Sequence, residues 1–338
     1  MGVITPVHKP SWKHINEIRE EGIQYLHDRL SGKSKSVKTP WDKFDDACIG
    51  GIEWGSIIGI AGRPGTGKTA ICNLITRGAP GRNPTQNIAV LDFQFEMSFK
   101  STAIREFSAA LKREYKQLLN ADPNNPLYGS TILDAINYTK LRASQAIYQV
   151  DTPMTLAQLE VEIDEFMAFI KTPTIITIDH TILLKKGSGE KDKFEMLYNL
   201  GELLTKLKKK YPVIFIILTQ MNRSIEALDR KANGTIGNYP NTGDIFGADA
   251  LLMHCDMMIA LNKPSEFSLT NYGPDNYEVT ENLLAMHFLK ARNTKRSILF
   301  FNADFEHMNV NEIANVPMLP PAGGTSAGRI GNFKSKII

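Results

Sequence analysis

Residues 62–69 read Gly-Arg-Pro-Gly-Thr-Gly-Lys-Thr. A glycine, four residues and then Gly-Lys-Thr is the pattern of a phosphate-binding loop. The flanks agree. Residues 56–61 (Ser-Ile-Ile-Gly-Ile-Ala) predict a buried strand, and residues 70–75 (Ala-Ile-Cys-Asn-Leu-Ile) predict a helix. A strand that enters a helix through such a loop aims successive backbone N–H groups at one point, at the positive end of the helix. Gly65 and Gly67 supply backbone angles that a side chain disfavours. Lys68 is placed to reach the β- and γ-phosphates of a nucleotide, and Thr69 to ligate Mg²⁺. Gly62, Arg63, Pro64, Thr66 and Ala70 complete the expected nucleotide cradle.

Working outward from the loop, further strands are expected at 87–95, 147–150, 174–178, 213–218 and 256–261. Helices are expected at 97–119, 131–146, 155–170 and 194–211. Thr155 and Gln158 form the cap and third position of a capping box at the start of one of them. Strands at 283–290, 297–302 and 305–310 close the pattern as hairpins. Strands alternating with helices predict an α/β fold with a mostly parallel, twisted sheet and helices on both faces. Right-handed crossovers place the carboxyl ends of the strands on one edge, where ligands bind.

The 338 residues, 42% of them hydrophobic, suit one large domain with appendages or two small ones. Residues 1–36 read as an N-terminal arm and linker helix, 37–312 as the main domain, and 313–338 as a flexible Pro/Gly-rich tail. Within the first segment, 1–10 read as a loose arm. Residues 11–30 read as an amphipathic helix with Trp12, Ile15, Ile18, Ile23, Leu26 and Leu30 on its stripe. That stripe has to be buried, either back on its own domain or on a neighbouring subunit.

A net charge of +3 is too small to argue for nucleic acid, so any DNA contact must come from local clusters. Cys48, Cys72 and Cys255 form no CxxC pair, which points to a reducing compartment and away from zinc. No apolar run reaches about 18 residues and no signal-peptide core is present, so a soluble, intracellular protein is expected.

Nucleotide hydrolysis needs a second acid near Mg²⁺ and a group that orients water. Asp179 ends the apolar strand Thr-Ile-Ile-Thr-Ile and suits the first role. Glu96, just past a strand, suits the second. Asp92 competes with it but lies inside that strand. Gln220 follows the most apolar strand, where it can sense the γ-phosphate. Lys290 and Arg292 fall on one face of a strand at period two, remote in sequence from the loop, and can act from another subunit. Residues 185–193 and 222–243 read as polar loops, the second long enough to be functional or disordered.

Together these motifs resemble the RecA-like ATPase domain of DnaB-type replicative helicases over roughly residues 37–312. Residues 63–70 are similar to the family's Arg-Pro-x-x-Gly-Lys-Thr-Ala, and Phe-Glu-Met-Ser at 95–98 to its Leu-Glu-Met-Ser, which marks Glu96 over Asp92. Val-Asp-Thr-Pro at 150–153, followed by Met154 and Thr155, resembles the Asp-Asp-Thr…Leu-Thr element. Ile-Asp-His at 178–180 is similar to Ile-Asp-Tyr, Leu-Thr-Gln-Met-Asn-Arg at 218–223 to Leu-Ser-Gln-Leu-Asn-Arg, and Lys-Ala-Arg-Asn at 290–293 to Lys-x-Arg-Asn.

The resemblance implies an ATP- and Mg²⁺-dependent helicase, a hexameric ring around single-stranded DNA with ATP sites between subunits. It implies that Lys290 and Arg292 act across the interface. It also implies that loops 185–193 and 222–243 face the channel, with Arg223, Arg230 and Lys231 as phosphate contacts. A primase or loader is a further partner that the resemblance implies. Three departures stand out. Residues 246–256 keep only Gly247 and Asp256 of the family's segment, which leaves ATP-to-DNA coupling there without its usual residues. Thr294 replaces a glycine. No N-terminal helical domain of the primase-interacting kind is seen, so a reduced, phage-like form is expected, in the cytoplasm of a bacterial or phage-infected cell. The alternative is a RecA-like DNA-binding or recombination protein, or a helicase-associated factor, that does not unwind DNA.

Overall fold

Every residue of the strand that feeds the phosphate loop is buried, which requires cover on both faces of a sheet. The computed structural model describes residues 12–120, 124, 128–227, 230, 238–292 and 297–313. The first half contains α1 (Ile15–Leu30), α2 (Asp42–Ala47), β1 (Ile57–Gly62), α3 (Lys68–Thr76), α4 (Ala79–Arg82), β2 (Ala89–Gln94), α5 (Phe99–Leu111), α6 (Tyr115–Leu118), α7 (Tyr128–Arg142) and β3 (Ile147–Val150). The second half contains α8 (Leu156–Ile170), β4 (Thr174–Asp179), α9 (Lys193–Lys210), β5 (Val213–Gln220), α10 (Ala248–Leu252), β6 (Met257–Asn262), β7 (Asn271–Tyr272), β8 (Tyr277–Glu278), β9 (Leu283–Ala291), β10 (Ile298–Asp304) and β11 (Asn309–Glu312).

Nine strands form one sheet in the order β11-β10-β9-β6-β1-β5-β4-β2-β3. From β6 to β3 all neighbours are parallel, and β9, β10 and β11 add an antiparallel end. On one face Leu159 and Ile163 of α8 and Leu200 and Leu204 of α9 pack on Phe215 and Ile217. On the other, Ile71 and Ile75 of α3 pack on Ile58, Ile60 and Ile216, with Trp41, Phe44 and Phe301 extending that core. Each such side chain contributes about 1.5–3 kcal/mol through burial.

The expected architecture is present, and the capping box at Thr155 and Gln158 forms as expected. Two local expectations change, and one that stood open between two alternatives narrows. The helix expected over 97–119 stops at Leu111, where Lys112 takes a left-handed φ of 51°, and a short α6 follows. The segment expected as a strand over 305–310 begins with a turn, and β11 starts at Asn309. Among the described residues, none of α1 is buried, so its stripe does not fold back into the core. It is held by Tyr25, which donates to Glu53, and by Arg29, which donates to Ser36 Oγ at 2.7 Å. The expectations for residues 1–11 and 314–338 lie outside the described residues. Among those described, no helix is long and apolar enough to cross a membrane.

Two registers set the functional edge. Gly62 lies beside Gln220, and Gln94 lies beside Asp179. The carboxyl ends of β1, β5, β4 and β2 therefore meet along one side.

Candidate nucleotide-binding site

Between β1 and α3 the chain needs two left-handed residues, and both are glycine: Gly65 at φ 82° and Gly67 at φ 85°. Gly67 is doubly constrained, because a Cβ there would run into the Phe305 ring. Thr66 is buried and donates to Arg63 O at 2.8 Å, which tightens the loop. Pro64 is exposed, and Ala70 lies in the first turn of α3.

Lys68 folds over the loop and donates from Nζ to Gly62 O at 3.0 Å and Arg63 O at 2.9 Å. Burial lowers the pKa of its ammonium, opposed by the charges of Asp179 and Glu96. Thr69 Oγ1 donates to Asp179 Oδ2 at 2.6 Å. Burial raises the Asp179 carboxyl to about 6, against the Thr69 hydrogen bond, with Asp92 and Glu96 adding to the rise. A buried, electron-rich carboxylate beside a hydroxyl is a hard oxygen pair, which fits Mg²⁺.

Glu96 stands just beyond β2 with 61% of its side chain exposed and Oε2 3.7 Å from His180 Nε2. Asp92 is different. It is fully buried, paired with Arg77 at 2.9 Å, and accepts from Gln94 at 2.9 Å and from Thr177. Its oxygens are committed to the core. Gln220 ends β5 next to Gly62.

Several expected residues sit differently. The Arg63 side chain turns away from the loop to pair with Glu226 and Glu266, each at 2.8 Å, and lies over the Phe267 ring. Only its backbone is left to cradle phosphate. Arg230 pairs with buried Asp244 at 2.6 Å and donates to Tyr239 O, so it braces its loop rather than facing a DNA phosphate. Arg223 is exposed, and Lys231 lies outside the described residues. Arg292 lies one residue past the end of β9, where its N–H still donates to Asp256 O at 3.1 Å.

Both basic residues are on the opposite edge from the loop of their own chain. Lys290 lies beside Met258 of β6 and donates to Leu252 O, while Arg292 pairs with Asp256 at 2.8 Å. Asp256 in turn bonds the start of β1 at Ile57. Ile57 and Gly62 are the first and last residues of six-residue β1, roughly 17 Å apart.

Sequence motifs did not indicate the turn after β10. Phe305 packs on Gly67, and Met308 lines a cavity of about 310 Å³ with Thr69, Ala70, Asn73, Arg105 and Tyr138. No local signal ties a C-terminal hairpin to a loop some two hundred residues earlier; only the sheet order does.

A mostly parallel sheet with a phosphate loop at its carboxyl edge and a metal-suited acid on β4 defines a P-loop nucleotide-binding domain. Residues 36–308 match the DnaB-like helicase C terminal domain, and the chain belongs to that family. The relatives include a probable replicative DNA helicase of Trieres chinensis, 22% identical over 242 residues, 71% of this chain and 50% of that one. The replicative DNA helicase DnaB of Helicobacter pylori strain J99 is 23% identical over 223 residues, covering 65% and 44%. The chain thus spans about half the length of the curated relatives it matches. The fold is that of the ATPase domain of G40P, with a TM-score of 0.71 at 16% identity over 87% of this chain and 98% of that one. It is equally that of a DnaB-like replicative helicase described with its interactions with primase, with a TM-score of 0.70 at 16% identity over 87% and 66%.

Proposed function

We propose that the chain is the ATP-hydrolysing motor of a replicative DNA helicase, assembled as a homo-oligomeric, six-membered ring on single-stranded DNA. One observation carries this. The phosphate loop and the basic pair Lys290 and Arg292 lie on opposite edges of the same sheet. One chain cannot bring them together, but a head-to-tail neighbour can, and head-to-tail contacts that close form a ring. The exposed stripe of α1, with Ile15, Ile18, Ile23, Leu26 and Leu30, supplies apolar surface for such a contact.

Thr69 and Asp179 would hold Mg²⁺, which supplies charge neutralisation at the β- and γ-phosphates. Lys68 exchanges the carbonyls of Gly62 and Arg63 for phosphate oxygens. The exposed carboxylate of Glu96 orients the attacking water and accepts its proton. Gln220, beside Gly62, responds to the γ-phosphate. Lys290 and Arg292 of a neighbour stabilise the charge that develops. The cavity beside Ala70, with Arg105 and Met308, receives the nucleoside. Arg223 contacts the DNA backbone. The work is done in the cytoplasm, and a primase or loader is a further partner to test.

The test is ATP hydrolysis with and without single-stranded DNA, alongside assembly size. The expected result is hydrolysis that needs the oligomer, rises with DNA and is lost in Glu96→Gln while ATP still binds. Full-rate hydrolysis by a dilute monomer would contradict the shared site.

A further inference from the structure

The carboxylate of Asp256 stands where two parts of the chain meet. Its Oδ2 accepts from the Ile57 N–H at 2.9 Å and from Lys208 Nζ at 2.6 Å. Its Oδ1 accepts from Arg292 Nη1 at 2.8 Å. The backbone repeats the connection: Asp256 N–H donates to Ile57 O at 2.8 Å, and Arg292 N–H donates to Asp256 O at 3.1 Å. Both carboxylate oxygens are therefore in use, and they join the start of β1, the last turn of α9 and the chain just past β9. The Arg292 side chain remains 54% exposed.

The stretch leading to Asp256 is tied to the other edge. Phe246 N–H donates to Gln220 O at 2.9 Å, and Met221 bridges Ile245. The α10 helix follows, and its Leu252 carbonyl accepts from Lys290 Nζ. Residues 246–256 thus run from Gln220 to both basic residues.

We propose that Asp256 is the positioning residue that aims Arg292 at the nucleotide of the neighbouring subunit. This rests on the reading of Arg292 as acting across the interface. An arginine past a strand end carries about 2 kcal/mol of rotamer entropy. Asp256 removes much of that freedom before nucleotide arrives. Lys208 holds the second oxygen, so the carboxylate keeps its orientation when Arg292 engages phosphate. The requirement is strict, because a misplacement of about 1 Å costs roughly 10²-fold in rate.

The test is a mixing experiment with the full chain. Asp256→Asn keeps the size of the side chain but removes its charge. Its kcat should fall roughly 10- to 100-fold with the KM for ATP changed less than about twofold, because its own phosphate loop is intact. Mixed with Lys68→Ala, which lacks a working loop but keeps its own Asp256 and Arg292, it should regain activity. Random co-assembly at equal amounts makes about one interface in four productive. Arg292→Ala mixed with Lys68→Ala runs in parallel, with co-assembly verified for both pairs.

Recovery in both mixtures supports the proposal. Recovery with Arg292→Ala but not with Asp256→Asn overturns it, since Asp256 would then serve its own β1 and loop. No recovery with Arg292→Ala removes the cross-interface reading itself. Should Asp256→Asn fail to fold, Asp256→Glu keeps the charge, displaces it by one methylene, and is held to the same mixing result.

Discussion

Thr69 Oγ1 donates to Asp179 Oδ2 at 2.6 Å across 110 positions of sequence. The contact exists because α3 begins at the end of β1 while β4 ends two strands away in the same sheet. It brings two oxygens suited to a hard cation together at the first turn of a helix. Thr69→Val keeps the shape and removes the hydroxyl. It should lower ATP turnover about 10²- to 10³-fold and raise the Mg²⁺ concentration needed, whereas Thr69→Ser should stay near wild type. A Mg²⁺ titration of hydrolysis checks both; equal losses in the two variants would argue against a role for the hydroxyl.

The two acids of the β2 region should separate cleanly. Glu96 is exposed, so Glu96→Gln should leave stability unchanged and reduce kcat by roughly 10²- to 10⁴-fold. Asp92 is fully buried, so Asp92→Ala should cost about 3 kcal/mol by removing the shared acceptor of Arg77, Gln94 and Thr177, although Arg77 keeps its pair with Glu106. Denaturant melts and single-turnover hydrolysis on both variants decide this. A stable, inactive Asp92→Ala would reverse the assignment.

His287 gives a pH dependence with a definite sign. It is buried, bonds Tyr272 OH at 3.0 Å, and burial lowers its pKa to about 3. The unfolded side chain, at about 6.5, takes up its proton first. Its contribution is fully present above pH 6.5 and is lost as pH falls from there toward 3. At pH 5 the loss should be about 2 kcal/mol. His287→Gln should flatten that part of the stability curve between pH 7.5 and 5, while parallel curves for variant and wild type would refute the assignment.

Arg223 and Arg230 should part company in DNA binding. Arg223→Ala should reduce the salt slope of single-stranded DNA affinity by about 1. Arg230→Ala should leave that slope alone and cost about 3 kcal/mol, because the buried Asp244 carboxylate loses its paired charge while keeping the bonds from Ser224 and the Asn241 N–H. Affinities at several salt concentrations, with a melt for each variant, test the pair. A lowered slope for Arg230→Ala would return it to the DNA surface.

The parts of this protein that could be read in its sequence are those where chemistry fixes residue type at close spacing. The loop at 62–69 and the strand-end residues Asp179 and Gln220 are of that kind. Contacts made only by tertiary folding were not readable. Arg63 looked like part of the cradle, yet its partner Glu266 is 203 positions away. Phe305 on Gly67 depends on a C-terminal hairpin reaching the loop. The stripe of α1 was visible as a pattern, but a pattern does not say what covers it. The period-two spacing of Lys290 and Arg292 was readable, but their separate partners, Leu252 O and Asp256, were not.

The most direct measurement is strand displacement on a forked DNA duplex with ATP and Mg²⁺, comparing the wild-type chain with Glu96→Gln. The account predicts unwinding by the wild type and none by the variant, with both binding single-stranded DNA. Equal displacement by the two, or none by a wild type that assembles, binds DNA and hydrolyses ATP, would contradict the motor assignment.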